Sequence, residues 1–256
     1  MTWDPDIYLK FGGERTRAAA DLLAHVPLPA PKRIVDLGCG PGNSTALIAS
    51  RYPNADILGV DSDEAMLKQA RAAHVNARFE AGDFESWTPR EAPDLIYTNA
   101  ALHWAADPLA VAARLFQSLA PGGVLALQVP QNFDKQSHIE MRAAAQDGPW
   151  AEALRGVFQP LLLNAHDYSR ALAPLGAKLD VWSTAYLHIL EGGDAVLKWI
   201  SGSALRPYFT RLSDEDRAGF EANLAARLKR AYPAESDGRT YFPFHRLFVV
   251  ATKGEY

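Results

Sequence analysis

An α/β fold with a mainly parallel sheet is predicted by three features of the chain. Short apolar runs alternate with helical stretches through the first 130 residues. A glycine-rich turn separates the first apolar run from its helix. A mostly helical stretch follows, and the chain closes on one more apolar run, so late strands return to the same sheet.

In order, residues 14–25 place apolar positions at helical spacing and predict an opening helix. Pro27, Pro29 and Pro31 end it. Strands are expected at 33–37, 57–61, 77–80, 94–99 and 124–129, with helices at 44–52, 64–73 and 108–119 between them. Crossovers of this length imply parallel neighbours of right-handed connection. After Pro130 the rhythm breaks. Residues 131–163 read as helical and irregular, 178–184 as a strand, 192–231 as mostly helical and 246–251 as the closing strand. The expected division is a Rossmann-like core at 1–130, a helical cap with late-sheet elements at 131–240, and a final strand at 241–256 returning to the core.

With 256 residues the chain is long enough for a large core without disulfide or metal staples. Hydrophobic residues make up 48% and charged residues 22%, the balance of a globular enzyme. A net charge of -4 argues against a nucleic-acid surface. One cysteine, Cys39, excludes an internal disulfide, and nothing basic beside it marks a nucleophile. The opening residues lack the pattern of a secretory leader, and no apolar stretch approaches the roughly 20 residues of a membrane span. A cytoplasmic protein with no membrane partner is the expectation. The seven histidines show no metal-ligand spacing, so no metal is expected.

Chemistry concentrates in Val35-Asp36-Leu37-Gly38-Cys39-Gly40-Pro41-Gly42-Asn43-Ser44. Glycines allow a sharp turn and close approach of a ligand to the backbone. The next helix offers unpaired N–H groups. A dinucleotide fingerprint needs its third glycine at position 43, where Asn43 stands. Asp61 ends the second strand, 19 residues after Gly42, where a carboxylate can accept from ribose hydroxyls. Alone, Asp61 reads more readily as a helix cap than as a ribose ligand, and Asp83 as a turn residue. Their succession at the ends of consecutive strands makes them one site.

The D-x-G-x-G-x-G pattern resembles that of class I S-adenosylmethionine-dependent methyltransferases. That resemblance implies a seven-stranded sheet and S-adenosyl-L-methionine as cofactor, with S-adenosyl-L-homocysteine as product. It implies Asp36, Gly38, Gly40, Gly42 and Asn43 around the cofactor, Asp61 at its ribose, and Asp83 and Phe84 at the adenine. Asn99 falls beside the methionine part, and His103 and Trp104 nearest the methyl-transfer position. More specifically, the chain resembles the trans-aconitate 2-methyltransferase family almost end to end. The segments are Trp3-Asp4-Pro5 with Tyr8-Leu9-Lys10-Phe11, the first loop through Leu47, Ala204-Leu205-Arg206-Pro207, and Arg246-Leu247-Phe248-Val249-Val250-Ala251. That family esterifies one carboxylate of trans-aconitate.

A carboxylate is already ionised at neutral pH, so its methylation needs positioning and charge neutralisation, not a general base. Arginine matches carboxylates bidentately. Arg206 and Arg246 are therefore the leading acceptor ligands, with His188, Tyr186, Gln131, Asn132 and Tyr8 as further donors. Residues 8–17 are expected to form a lid. Two other readings stay open: a methyltransferase with a more apolar acceptor, suited by the aromatic cap (Trp150, Trp182, Trp199, Tyr208, Phe209), and a non-catalytic cofactor-binding module.

Overall fold

The computed structural model describes residues 13–202 and 204–254. Tyr8 and the first half of the expected lid lie outside them; residues 14–17 form the first turn of helix α1 (Glu14–Ala24). The chain divides into two compact units. The first holds the chain to Pro130, Leu163–Thr184 and the chain from Arg246; the second holds Gln131–Leu162 and Ala185–His245. Leu163–Thr184, which the sequence places in the cap, thus packs with the first unit. The reason is apolar burial: Tyr168 and Leu172 enter the core of that unit.

The first unit is built on β1 (Arg33–Leu37), β2 (Asp56–Asp61), β3 (Arg78–Ala81), β4 (Leu95–Asn99) and β5 (Val124–Pro130), all parallel. Between them run α2 (Asn43–Arg51), α3 (Glu64–Ala72) and α4 (Pro108–Gln117). Asp63 and Asp107 cap α3 and α4 by accepting two backbone N–H groups each. The helix α6 (Ala165–Leu172) carries a full capping box, Asn164 with Asp167. The sheet has seven strands in the order β3-β2-β1-β4-β5-β7-β6, where β6 spans Lys178–Leu190 and β7 spans Thr240–Thr252. β7 is antiparallel to β5, pairing Gln128 with Phe248 and Pro130 with Arg246.

Both late strands are longer than their apolar runs. The sequence reads 178–184 and 246–251, whereas each strand has 13 residues. The extra residues alternate exposed and buried along β6, a weaker signal than a continuous apolar run. In the first unit, Trp182 stacks between His25 and Phe248, at 4.0 and 4.8 Å between ring centres.

One face of the sheet is covered by a core including Ile96, Leu115, Phe116, Leu127 and Val249. On the other face Tyr97 donates its hydroxyl to the Ala19 carbonyl of α1 at 2.6 Å. Side chains alternate along a strand, so Asp36, Tyr97, Asn99, Ala126, Gln128, Arg246 and Phe248 share that second face.

The second unit contains α5 (Gln136–Gln146), α7 (Ala195–Ser201), the four-residue α8 (Arg206–Phe209) and α9 (Asp214–Ala231). Its core is aromatic. Trp150 meets Phe220 edge-on, Tyr208 stacks on Phe220, and Trp199 packs against Phe242 and Phe244. The Trp150 indole N–H donates to the Ala144 carbonyl at 2.8 Å. Arg227 on α9 ties to Asp147 and to Glu140 of α5. His138 is buried, which pushes its pKa down to about 4, so it is neutral within the unit.

Candidate active site

The site is assembled where β1 to β5 end. Gly38 and Cys39 each donate their N–H to the Val60 carbonyl, so the loop leaves β1 leaning on β2. Gly38 has φ +75°, and a Cβ there would stand 2.3 Å from the Ala101 Cβ. Only glycine fits this turn. At Gly40 (φ +54°) a Cβ would meet nothing within 4 Å among the described residues, which leaves the backbone there open to close approach. Gly42, also left-handed, leads directly into α2 at Asn43. The first N–H groups of α2 are turned to this loop.

Asp61 binds the loop to β2. One carboxylate oxygen accepts the Gly40 N–H at 2.8 Å and the other the Asp63 N–H at 2.9 Å. Each oxygen keeps a second acceptor direction. Asp83 accepts from the Glu85 N–H at 2.9 Å and stands exposed after β3. The Phe84 ring packs on the core, and its carbonyl takes a bond from Arg114. After β4, Ala100 has the unusual φ of +54° for a residue with a side chain, held by its N–H on the Gln128 carbonyl at 2.9 Å. A short 3₁₀ turn, Leu102–Trp104, follows; His103 is buried and its ring lies 4.8 Å from that of Trp104.

Asp36, expected around the cofactor, lies beneath the glycine loop. It is fully buried, and one oxygen accepts both the Ser44 hydroxyl (2.7 Å) and the Thr45 hydroxyl (2.6 Å). It therefore anchors the start of α2 beneath the loop. Burial pushes its pKa up to about 6, against the opposing pull of Thr45 and Ser44, with the Asp61 charge adding a smaller push upward. The sign of the linkage follows. A raised carboxyl pKa favours folding most below the unfolded value near 3.8 and loses that contribution as pH rises through about 6. Ionised Asp36 thus costs on the order of 3 kcal/mol above pH 6. In Asp36→Asn the amide carbonyl still accepts from both hydroxyls. Urea unfolding should show wild type losing stability relative to this variant between pH 4 and 6.5; parallel profiles would contradict the assignment.

Cys39 is buried, and burial pushes its thiol pKa far up, consistent with a packed residue. Among the described residues, no group of three or more His, Cys, Asp and Glu is arranged to hold a metal.

The acceptor candidates separate. Arg246 lies in the first unit, 5% exposed, opposite the last residue of β5. Because β7 is antiparallel, this is the end of the sheet that carries the glycine loop. Its Nη1 donates to the Gln128 side-chain oxygen at 3.1 Å. Arg206, His188, Tyr186, Gln131 and Asn132 lie in the second unit. Asn132 is a correction: its amide N–H donates to the His245 carbonyl and its oxygen accepts the His245 N–H, both at 2.9 Å. With its oxygen and one of its two amide N–H groups on the His245 backbone, and only 1% exposed, Asn132 acts as a clamp. Gln131 donates its backbone N–H to the same carbonyl at 2.9 Å. Tyr186 and His188 are buried in an aromatic cluster, with His188 4.3 Å from Trp199 and 5.9 Å from Phe244. Arg206 is exposed at the start of α8. The aromatic residues expected to favour an apolar acceptor are engaged in packing: Trp150 and Tyr208 are buried in the second unit's core, and Trp182 is sandwiched in the first. Sequence reasoning missed Gln128, a polar residue inside the apolar β5, whose only signal was that misfit.

A glycine loop braced by a carboxylate from β2, in a sheet of this strand order, defines a Rossmann-like methyltransferase domain of the S-adenosylmethionine-dependent class. The family model described as "Methyltransferase domain" matches residues 34–123. A solved S-adenosylmethionine-dependent methyltransferase from Mesorhizobium loti shares the fold, with TM-score 0.53 and 21% identity over 95% of this chain and 100% of that one. Two curated relatives cover nearly everything. A trans-aconitate 2-methyltransferase of Methylobacterium radiotolerans is 48% identical over 98% of both chains. One of Variovorax paradoxus is 46% identical over 99% of both. The chain belongs to the trans-aconitate 2-methyltransferase family.

Proposed function

We propose that this protein transfers the methyl group of S-adenosyl-L-methionine to a carboxylate of trans-aconitate, releasing S-adenosyl-L-homocysteine and a monomethyl ester. The residues present fit that cofactor: an open backbone cradle at Gly40, a helix start at Asn43, and carboxylates at the ends of β2 and β3. When bound, the cofactor supplies an electrophilic methyl on a positively charged sulfur. The chain supplies the rest. Gly38, Gly40 and Gly42 shape the cradle, Asp61 accepts from ribose hydroxyls while holding Gly40, Asp83 and Phe84 border the base, and Asn99 faces the amino-acid end.

The acceptor carboxylate is ionised at neutral pH, so no residue has to remove a proton. His103 and Trp104 orient it and exclude water. Holding the acceptor in line supplies up to about 7–11 kcal/mol of the barrier reduction. The observation that carries the carboxylate reading is the buried guanidinium of Arg246 at the carboxyl end of the sheet. Within the second unit, Arg206, Tyr186, His188 and Gln131 stay candidates from the sequence alone. The partner is a small diffusible polycarboxylate, and the enzyme is cytoplasmic. Among the described residues no helix is long and apolar enough to cross a membrane.

The test is a methyl-transfer assay with trans-aconitate beside other carboxylates and phenols, with products weighed by mass spectrometry. A product about 14 Da heavier than trans-aconitate (one added CH₂) is expected, which mild base hydrolyses back to trans-aconitate and methanol. Turnover confined to phenols or amines would overturn the proposal.

A further inference from the structure

On the second face of the sheet two amide side chains, Asn99 and Gln128, stand side by side on β4 and β5. Asn99 on β4 and Gln128 on β5 are register partners, and Phe248 on β7 completes the row. Arg246 stands two residues before Phe248, diagonal to Gln128 and on the same face. Gln128 is 1% exposed.

The orientation of the Gln128 amide is fixed chemically. Arginine only donates, so the atom that meets Arg246 Nη1 must be the amide oxygen. The NH₂ group is then turned the other way, buried and without a hydrogen-bond partner among the described residues. The Asn99 side-chain oxygen is likewise buried and unpartnered. Burying an unpaired amide is costly, and native proteins keep such groups rarely and with a reason. A donor on β5 and an acceptor on β4 are thus kept without partners at the end of the sheet where the cofactor loop lies.

We propose that Gln128 is a specificity-determining residue: its oxygen orients the Arg246 fork, and its NH₂ donates a second, neutral hydrogen bond to the same acceptor carboxylate. This rests on the carboxylate reading of the acceptor. A neutral amide is the chemically suitable orienter, because a carboxylate in its place would compete with the substrate for Arg246. Binding of the acceptor would at once satisfy the buried NH₂ and engage the guanidinium.

Two variants test this, each measured with trans-aconitate at saturating cofactor. Gln128→Glu keeps the shape but adds a charge that pairs Arg246 and repels the substrate. Its KM for trans-aconitate is expected to rise roughly 100-fold. Gln128→Met keeps the volume and removes both hydrogen bonds; its KM is expected to rise about 10-fold with kcat within a few-fold of wild type. Calorimetric titration of trans-aconitate into the S-adenosyl-L-homocysteine complex should reproduce both losses without turnover. Affinity for S-adenosyl-L-homocysteine itself should stay within about twofold, which also shows that each variant is folded. A KM and acceptor affinity within about twofold of wild type in Gln128→Met overturns the inference, as does equal loss of cofactor affinity. The two readings fail separately. A wild type that methylates no carboxylate overturns the proposed function, whereas a competent wild type with indifferent variants overturns only the role of Gln128.

Discussion

Gly38→Ala should bind S-adenosyl-L-homocysteine at least roughly 50-fold more weakly than wild type, since a left-handed alanine alone costs about 1–2 kcal/mol and a collision is added. The collision is severe: the new Cβ would stand 2.3 Å from the Cβ of Ala101. Neither partner is the tip of a flexible chain, so the backbone of the loop or of the segment after β4 has to move. Both line the site, and Gly38 also donates to the Val60 carbonyl at 2.8 Å. The double substitution Gly38→Ala with Ala101→Gly removes the collision and leaves only the backbone strain. It should recover a clear part of the lost affinity. Calorimetry on the three proteins decides the matter; binding by Gly38→Ala within threefold of wild type would refute the geometric argument.

Arg246→Ala should raise the KM for trans-aconitate on the order of 100-fold, the loss expected for a charge-assisted, bidentate contact, while cofactor affinity is held. Stability should fall as well. The Gln128 oxygen loses the guanidinium it accepts from, and an abandoned buried acceptor costs about 1–3 kcal/mol. Arg246→Lys restores charge without the planar fork and should land between the two. Arg206 is exposed rather than buried, and Arg206→Ala should raise the KM for trans-aconitate with cofactor affinity held. An unchanged KM in Arg246→Ala would remove the basis for a carboxylate acceptor.

Much of the first unit was legible because its determinants are local. The strands β1, β2, β4 and β5 are short apolar runs, and each is closed by residues with their own turn chemistry. Gly38, Gly40 and Gly42 announce a turn that only glycine makes readily. Asp61 was visible from its position at a strand end, although its bond to the Gly40 N–H was not. The late strands were underestimated, since half of each alternates instead of running apolar. Leu163–Thr184 fell in the expected cap and late-sheet segment 131–240, and its grouping with the first unit depends on which core Tyr168 and Leu172 enter, a matter of distant partners.

The site residues divide along the same line. A sequence names residue types but not the atoms that already occupy them. Asn132 looked like a donor until its amide met the His245 backbone. Asp36 was visible beside the loop, but its bonds to the Ser44 and Thr45 hydroxyls were not. Gln128 was invisible as a partner of Arg246, because 118 residues separate them and only the antiparallel return of β7 beside β5 joins them. By itself, then, the sequence determined the α/β rhythm, the glycine loop and the order of carboxylates along the strand ends, since backbone conformation there is set by neighbours in the chain. The tertiary structure alone decided which polar groups are occupied and which are held for a ligand, because hydrogen-bond satisfaction depends on strands brought together across the sheet.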